Sequence, residues 1–289
     1  MTISVASGKG GTGKTTIAVN LALSLGEVQF FDCDVEEPNA HIFIKPALKG
    51  KVPVTVPMPE IDFSKCTYCG ICQKVCEFNA IAVLPPTSKS HGQVLVFEHL
   101  CHGCGACYTL CPEKAIAEKD KEIGLIEWGE KDSITFYHGK LNTGEILTPA
   151  VITALKKFIK NTSTVIIDSP PGSSCPLIAS LKGSDFCIIV TEPTPLGFHD
   201  MKIAIEVVEE LKIPYGVIIN RADIGNSDIE NFCKKRNIPV LMKIPYNKDI
   251  ARLYSKGIPY VIEFPELKEQ YLNLFATLTE IAKKHKTSG

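Results

Sequence analysis

The run Gly8-Lys9-Gly10-Gly11-Thr12-Gly13-Lys14-Thr15 alternates glycines with small residues and closes on a lysine and a hydroxyl. That combination suits phosphate: backbone N–H groups turn inward to cradle the oxygens, Lys14 reaches the β and γ phosphates, and the Thr15 hydroxyl ligates Mg²⁺. Thr16 continues into an apolar-periodic segment, so the loop opens on a helix N-terminus whose partial positive charge favours an anion. A bound Mg²⁺ also needs a carboxylate. The strand-like run Val165-Ile166-Ile167 ends on Asp168, where a carboxylate can hold the ion directly or through water. Ser169-Pro170-Pro171-Gly172 follows as a stiff turn placed to sense a γ-phosphate. Asp32 and Asp34 close an earlier apolar run, and one of them is a candidate to orient an attacking water.

A second chemistry is written in cysteine. Eight of the 12 cysteines fall between Cys66 and Cys111, as two copies of one pattern: Cys66-x2-Cys69-x2-Cys72-x3-Cys76 and Cys101-x2-Cys104-x2-Cys107-x3-Cys111. This is the spacing of bacterial ferredoxins, in which the fourth cysteine of each run serves the other cluster. It predicts one 4Fe–4S cluster on Cys66, Cys69, Cys72 and Cys111, and another on Cys101, Cys104, Cys107 and Cys76. Gly70 and Gly105 allow backbone N–H groups close to sulfide, and Ile71, Ile81, Ala106 and Ile116 supply an apolar shell. Zinc also accepts four thiolates but does not need two runs of four in this spacing. Pro112 follows Cys111, whereas Glu77 stands after Cys76; the change removes no ligand. His99 and His102 are expected near the clusters but not as ligands. Cys187, Cys233 and Cys175 are expected to be buried thiols.

These residues need a frame. Apolar runs at 3–6, 28–31, 164–167, 186–190, 215–219 and 240–244 read as strands, with helical patterns at 14–25, 149–160, 197–211 and 227–236 between them. Alternating strands and helices predict an α/β fold, a doubly wound, mostly parallel sheet covered on both faces. The pattern breaks in the cysteine-rich middle. The expected organisation is therefore a discontinuous domain of residues 1–56 and 120–289, interrupted by a small α+β unit at 57–119. Residues 266–284 read as an amphipathic helix that packs on the sheet.

Lys9, standing in the phosphate loop in addition to Lys14, makes the segment resemble the deviant Walker A loop of MinD/ParA-type ATPases, a family that includes the nitrogenase iron protein and the Mrp-type cluster carriers. The resemblance covers residues 1–45 and 140–285. It implies two subunits sandwiching two ATP molecules, with Lys9 reaching the partner's phosphates, Asp34 as the catalytic aspartate of a first switch, Asp168 and Gly172 opening a second, and Asn220 contacting adenine. The cysteine repeat resembles two-cluster ferredoxins across residues 60–118. The stretch 191–200 and an insertion after Asp34 look like MinD-type ATPases with an inserted ferredoxin, a group that resembles proteins of iron–sulfur or molybdenum cofactor metabolism. The C-terminal Cys-x-x-Cys of Mrp-type carriers has no counterpart.

Composition narrows the setting. A net charge of −1 gives no reason to expect a nucleic acid or an anionic membrane as partner. No apolar run is long enough for a stable membrane insertion, and the phosphate loop starts too early to leave room for a signal peptide. The expectation is a cytoplasmic ATPase, dimeric with itself or with a related ATPase. ATP binding would be coupled to electron transfer from two clusters, and the partner would be a redox or metal-cofactor protein. A cofactor assembly or delivery factor is the alternative, and a MinD-like positioning ATPase comes third.

Overall fold

The computed structural model describes residues 1–288, with the side chains of 1–285. Eleven strands are present among them: β1 (Thr2–Ala6), β2 (Val28–Asp32), β3 (Ala47–Ile61), β4 (Ile81–Leu84), β5 (Gln93–Val96), β6 (Ile116–Lys131), β7 (Ile134–Leu141), β8 (Thr164–Asp168), β9 (Phe186–Thr191), β10 (Tyr215–Asn220) and β11 (Val240–Ile244). Nine of these form one sheet in the order β11-β10-β9-β1-β8-β2-β7-β6-β3. The seven strands from β11 to β7 run parallel, and β6 and β3 add two antiparallel strands at one edge.

The parallel strands are buried on both faces, so every residue of β2 and β9 is buried. The helices cover both sides. They are α1 (Lys14–Leu25), α2 (Ala40–Ile44), α3 (Ile71–Lys74), α4 (Ala106–Thr109), α5 (Thr148–Lys156), α6 (Cys175–Leu181), α7 (Pro195–Glu210), α8 (Asp228–Lys235), α9 (Lys248–Ser255), α10 (Tyr260–Glu263) and α11 (Pro265–Ser288). One core joins α1 to Tyr271, Leu274, Leu278 and Ala282 of α11, so the apolar face of the last helix is spent on packing. A second joins Val151, Ile152 and Leu155 of α5 to Phe31, Val54, Val56, Met58, Ile123 and Ile126. A third lies under α6, α7 and α8.

β3 and β6 differ from the sequence expectation. They pair from Ala47↔Glu130 to Ile61↔Ile116, so both run through the expected boundaries at 57 and 119 as one continuous ribbon. Pro53, Pro57 and Pro59 hid β3. They are tolerated because it is the edge strand, where an N–H is free to face solvent. Between the prolines, Val54, Val56 and Met58 alternate inward and are buried. At the ribbon's tip the intervening residues fold as a hairpin, β4 with β5, and the four-residue helices α3 and α4.

Truncating Ile126, buried between the ribbon and α5, to alanine is expected to cost about 2–4 kcal/mol in urea unfolding. Leu48→Ala on the exposed end of the same ribbon should stay within about 0.5 kcal/mol.

Candidate functional site

The phosphate loop joins β1 to α1, and its conformation explains its glycines. Gly11 and Gly13 take φ of 80° and 95°, left-handed values that cost a side-chain-bearing residue. A Cβ on Gly8 would collide with the backbone of Asp200, and one on Gly13 with the Asn220 amide. Asn220, at the end of β10, donates from Nδ2 to the Thr12 carbonyl (2.9 Å). Gly10 and Gly11 have open space before them and, with Gly13, Lys14, Thr15 and Thr16, line an open cleft. The cleft lies over the C-terminal ends of the strands, where open α/β sheets bind ligands.

Two aspartates, Asp34 and Asp168, meet Lys14 there, and Asp32 stands beside them. Asp32 and Asp168 are register partners on β2 and β8. Lys14 Nζ is 3.8 Å from Asp34 Oδ2 and 3.7 Å from Asp168 Oδ1. Asp168 is fully buried with no hydrogen bond to either oxygen. Burial pushes its carboxyl above the usual range, against the pull of Lys14 and Thr15. An oxygen pair so placed fits a cation. Asp32 is engaged elsewhere. Its oxygens accept from the N–H groups of Asp34 (3.2 Å) and Ala40 (3.0 Å), which fixes the segment between them. Of the two early aspartates, only Asp34 lines the cleft. Burial, opposed by Lys14 and aided by Asp168, raises it to about 6.

Lys9 lies within the same chain's reach: its Nζ donates to Glu192, whose other oxygen accepts from Arg221 (2.9 Å). Gly172 N–H donates to the Ser7 carbonyl (3.1 Å), tying the turn after β8 to the loop, and Pro171 lines the cleft. The far wall comprises Asn220, Arg221, Pro245, Tyr246 and Asn247. Arg221 and the last three were missed from sequence. Pro245, Tyr246 and Asn247 follow β11 without a motif, and only the fold brings them to the cleft.

The eight clustered cysteines surround two hollows. Cys66, Cys69, Cys72 and Cys111 line one, and Cys76, Cys101, Cys104 and Cys107 line the other. Gly70 and Gly105 adopt φ of 76° and 72° at the rims, and open space lies where a Gly70 Cβ would be. The repeat shows in the hydrogen bonds: Ala80 N–H donates to Cys76 Sγ and Ala115 N–H to Cys111 Sγ, each at 3.3 Å. Among the described residues no three His, Cys, Asp or Glu side chains converge on a point as ligands of a single ion. Four thiols ring each hollow instead, a donor set of the kind that holds a multi-atom cluster. Burial raises the thiols of Cys72 and Cys101, and that of Cys107 to about 11, so holding them as thiolates requires a cationic occupant. His102 stacks on Phe78 beside the second hollow. Cys187 and Cys233 are buried, but Cys175 is exposed at the start of α6, contrary to expectation. The turn after Asp168 keeps that helix end at the surface.

Asp34 takes up a proton more readily in the fold than at its ordinary value of 3.8. The stability from the neutral form is complete below about pH 4 and is lost as pH rises through about 6. Without nucleotide, Asp34→Asn should therefore match the parent's Tm at pH 4 and exceed it at pH 7 by roughly 2–4 °C. Asp168→Asn should likewise raise the nucleotide-free Tm at pH 7 while weakening Mg²⁺-dependent nucleotide binding, read by calorimetry.

A profile described as the CobQ/CobB/MinD/ParA nucleotide binding domain matches residues 3–260. An uncharacterised protein of Methanocaldococcus jannaschii is 37% identical over 89% of this chain and 90% of its own. The iron-sulfur cluster carrier protein of Pyrococcus horikoshii is 24% identical over 94% and 85%. Among solved structures, the septum site-determining protein MinD of Pyrococcus horikoshii, complexed with Mg-ADP, superposes with a TM-score of 0.59 over 99% of both chains at 20% identity, a likeness of fold. With a profile match across most of its length, the chain belongs to the CobQ/CobB/MinD/ParA family of nucleotide-binding domains.

Proposed function

We propose that this chain is a dimeric ATPase that couples nucleotide switching to electron transfer through two 4Fe–4S clusters. The observation that carries the reading is the pair of four-cysteine hollows borne on the same sheet as the nucleotide cleft. Residues 57–119 would be the cluster-binding unit and 1–56 with 120–289 the ATPase.

In the cleft, the N–H groups of the 8–13 loop and Lys14 hold the phosphates, and Thr15 with Asp168 holds Mg²⁺. Asp34, beside Lys14, orients the attacking water; a carboxyl raised to about 6 is a better base than an ordinary one. Lys9 leaves Glu192 to reach the phosphates of the second subunit. Asn220 holds the loop through Thr12 and borders the space for the base, with Tyr246 and Asn247. Cys66, Cys69, Cys72 and Cys111 would hold one cluster and Cys76, Cys101, Cys104 and Cys107 the other. Such clusters supply one-electron chemistry at potentials set by their surroundings. The apolar walls and the N–H donors to Cys76 and Cys111 are what this chain contributes to those surroundings.

A second reading, assembly or delivery of an iron–sulfur cofactor, is favoured by the relatives named as iron-sulfur cluster carrier proteins. The exposed Cys69 and Cys104 leave one corner of each hollow open to a recipient. Anaerobic protein should contain about eight iron atoms per chain, and Cys69→Ser about four. Electron release to a viologen acceptor should be faster with ATP than with ADP, and slow with Asp34→Ala. Equal rates in all three would sink the coupling. Iron appearing in an added apo-ferredoxin, at the expense of this chain, would favour delivery.

A further inference from the structure

The two hollows are near copies in sequence but differ in what they touch. The hollow of Cys66, Cys69, Cys72 and Cys111 lies at the ribbon's tip. Its Cys66, Cys72 and Cys111 pack in a small core with Ile81, Val94 and Ile116, which Cys107 of the other hollow also joins, and every member of that core lies between residues 61 and 116. The other hollow lies one step nearer the main sheet, walled by Pro57, Pro59 and Glu118 of the ribbon. Its loop rests flat there, with Gly103 against Val56 and Pro57. Cys101 is the one cysteine of the eight that packs against the core of Phe31, Cys33, Val35, Val56 and Met58.

Polar contacts run the same way. The segment after β2, which carries Asp34, continues through Val35 and Glu36. The Val35 carbonyl accepts from Leu141 N–H (2.8 Å), and Glu36 Oε1 accepts from the buried Thr148 hydroxyl (2.9 Å). Residues 141 and 148 bound a short loop with Gly144 at φ 85°. From that loop Glu145 pairs with Lys121 of β6 (2.8 Å), and Lys121 also faces Glu98 (3.7 Å). Glu98 opens the helical turn whose carbonyl accepts from Cys101 N–H (3.2 Å). The Lys121–Glu98 arm is exposed and weak by itself. It acts beside the apolar contact of Cys101, which shares the same ends.

We propose that the two cluster sites have different roles: the site of Cys76, Cys101, Cys104 and Cys107 responds to nucleotide, through the 141–148 loop and with Lys121 as its positioning residue, whereas the site of Cys66, Cys69, Cys72 and Cys111 is insulated. This rests on the function proposed above. The element with two states is the 34–40 segment. A γ-phosphate competes with Asp34 for Lys14, and whatever moves Asp34 pulls on Val35 and Glu36.

Hydrogen–deuterium exchange on the cluster-loaded protein tests this, comparing ADP with a non-hydrolysable ATP analogue. Peptides over 34–40 and 98–107 should change exchange several-fold between the two nucleotides, and a peptide over 62–73 should not. Lys121→Met should abolish the response of 98–107 while leaving that of 34–40 and the rate of ATP hydrolysis intact, and Lys121→Arg should restore it. Thr148→Val, which cannot donate to Glu36, should uncouple in the same way. Equal responses in 62–73 and 98–107, or a 98–107 response that survives both Lys121→Met and Thr148→Val, would overturn the assignment of roles alone. Protein that binds ATP and holds about eight irons but shows no response at 98–107 would do the same. Failure to bind ATP or to load iron would remove the proposed function, and this inference with it.

Discussion

Lys14 is the cation on which the nucleotide site turns. Parallel pairing sets Asp32 directly opposite Asp168 at the ends of two adjacent strands, and Asp34 stands two residues further on. Two of the three carboxylates sit within 4 Å of the Lys14 ammonium. Burial makes each of the three reluctant to ionise, and the negative neighbours add to this at Asp32 and Asp34. Such an arrangement persists only because the apolar strands beneath it, buried on both faces, hold the strand ends in register. The strain is local and useful: the site gains most by receiving positive charge, and the segment after Asp34 is poised between two partners for one lysine.

The backbone around these carboxylates turns the charge into shape. Asp32 accepts from two N–H groups and so fixes the turn that carries Asp34. Gly172 fastens the turn after Asp168 to the phosphate loop, and Asn220 fastens that loop from the opposite side. Two strand ends thus grip the phosphate loop, and a third holds the segment that carries Asp34 beside it. Lys9 alone stands aside, held by a glutamate that also holds Arg221. The pair is mostly buried, so Lys9 leaves it only where another anion takes up its charge.

How much of this was legible depended on what kind of signal each residue leaves. The phosphate loop, the six parallel strands from β1 to β11 other than β7, and the helices α1, α5, α7, α8 and α11 could be read from unbroken apolar runs and helical periodicity. β6 and β7 were not seen: β6 is charged along its length, and β7 joins it in a tight turn. β3 was masked by three prolines that would exclude a central strand but suit an edge. Within the site, spacing named the cysteines and the loop, since ligands close in sequence must share a point in space. The distinction between Asp32 and Asp34 was not in the sequence from chemistry alone. It depends on which carboxylate the backbone of residue 40 approaches. Tyr246 and Asn247 were invisible for the same reason, because the sheet's order, not any motif, carries them to the cleft.

The position of the cysteine segment has a consequence for how such a chain can vary. It leaves the sheet as a hairpin at the outermost strand, the edge of the sheet among the described residues. Adding or deleting a hairpin there requires no crossover to be rerouted and no interior strand to be displaced. A segment carried there can differ in length without disturbing the register of the parallel strands that bear the nucleotide cleft. What such a change must preserve is not the scaffold but the few contacts where the segment's loops touch it.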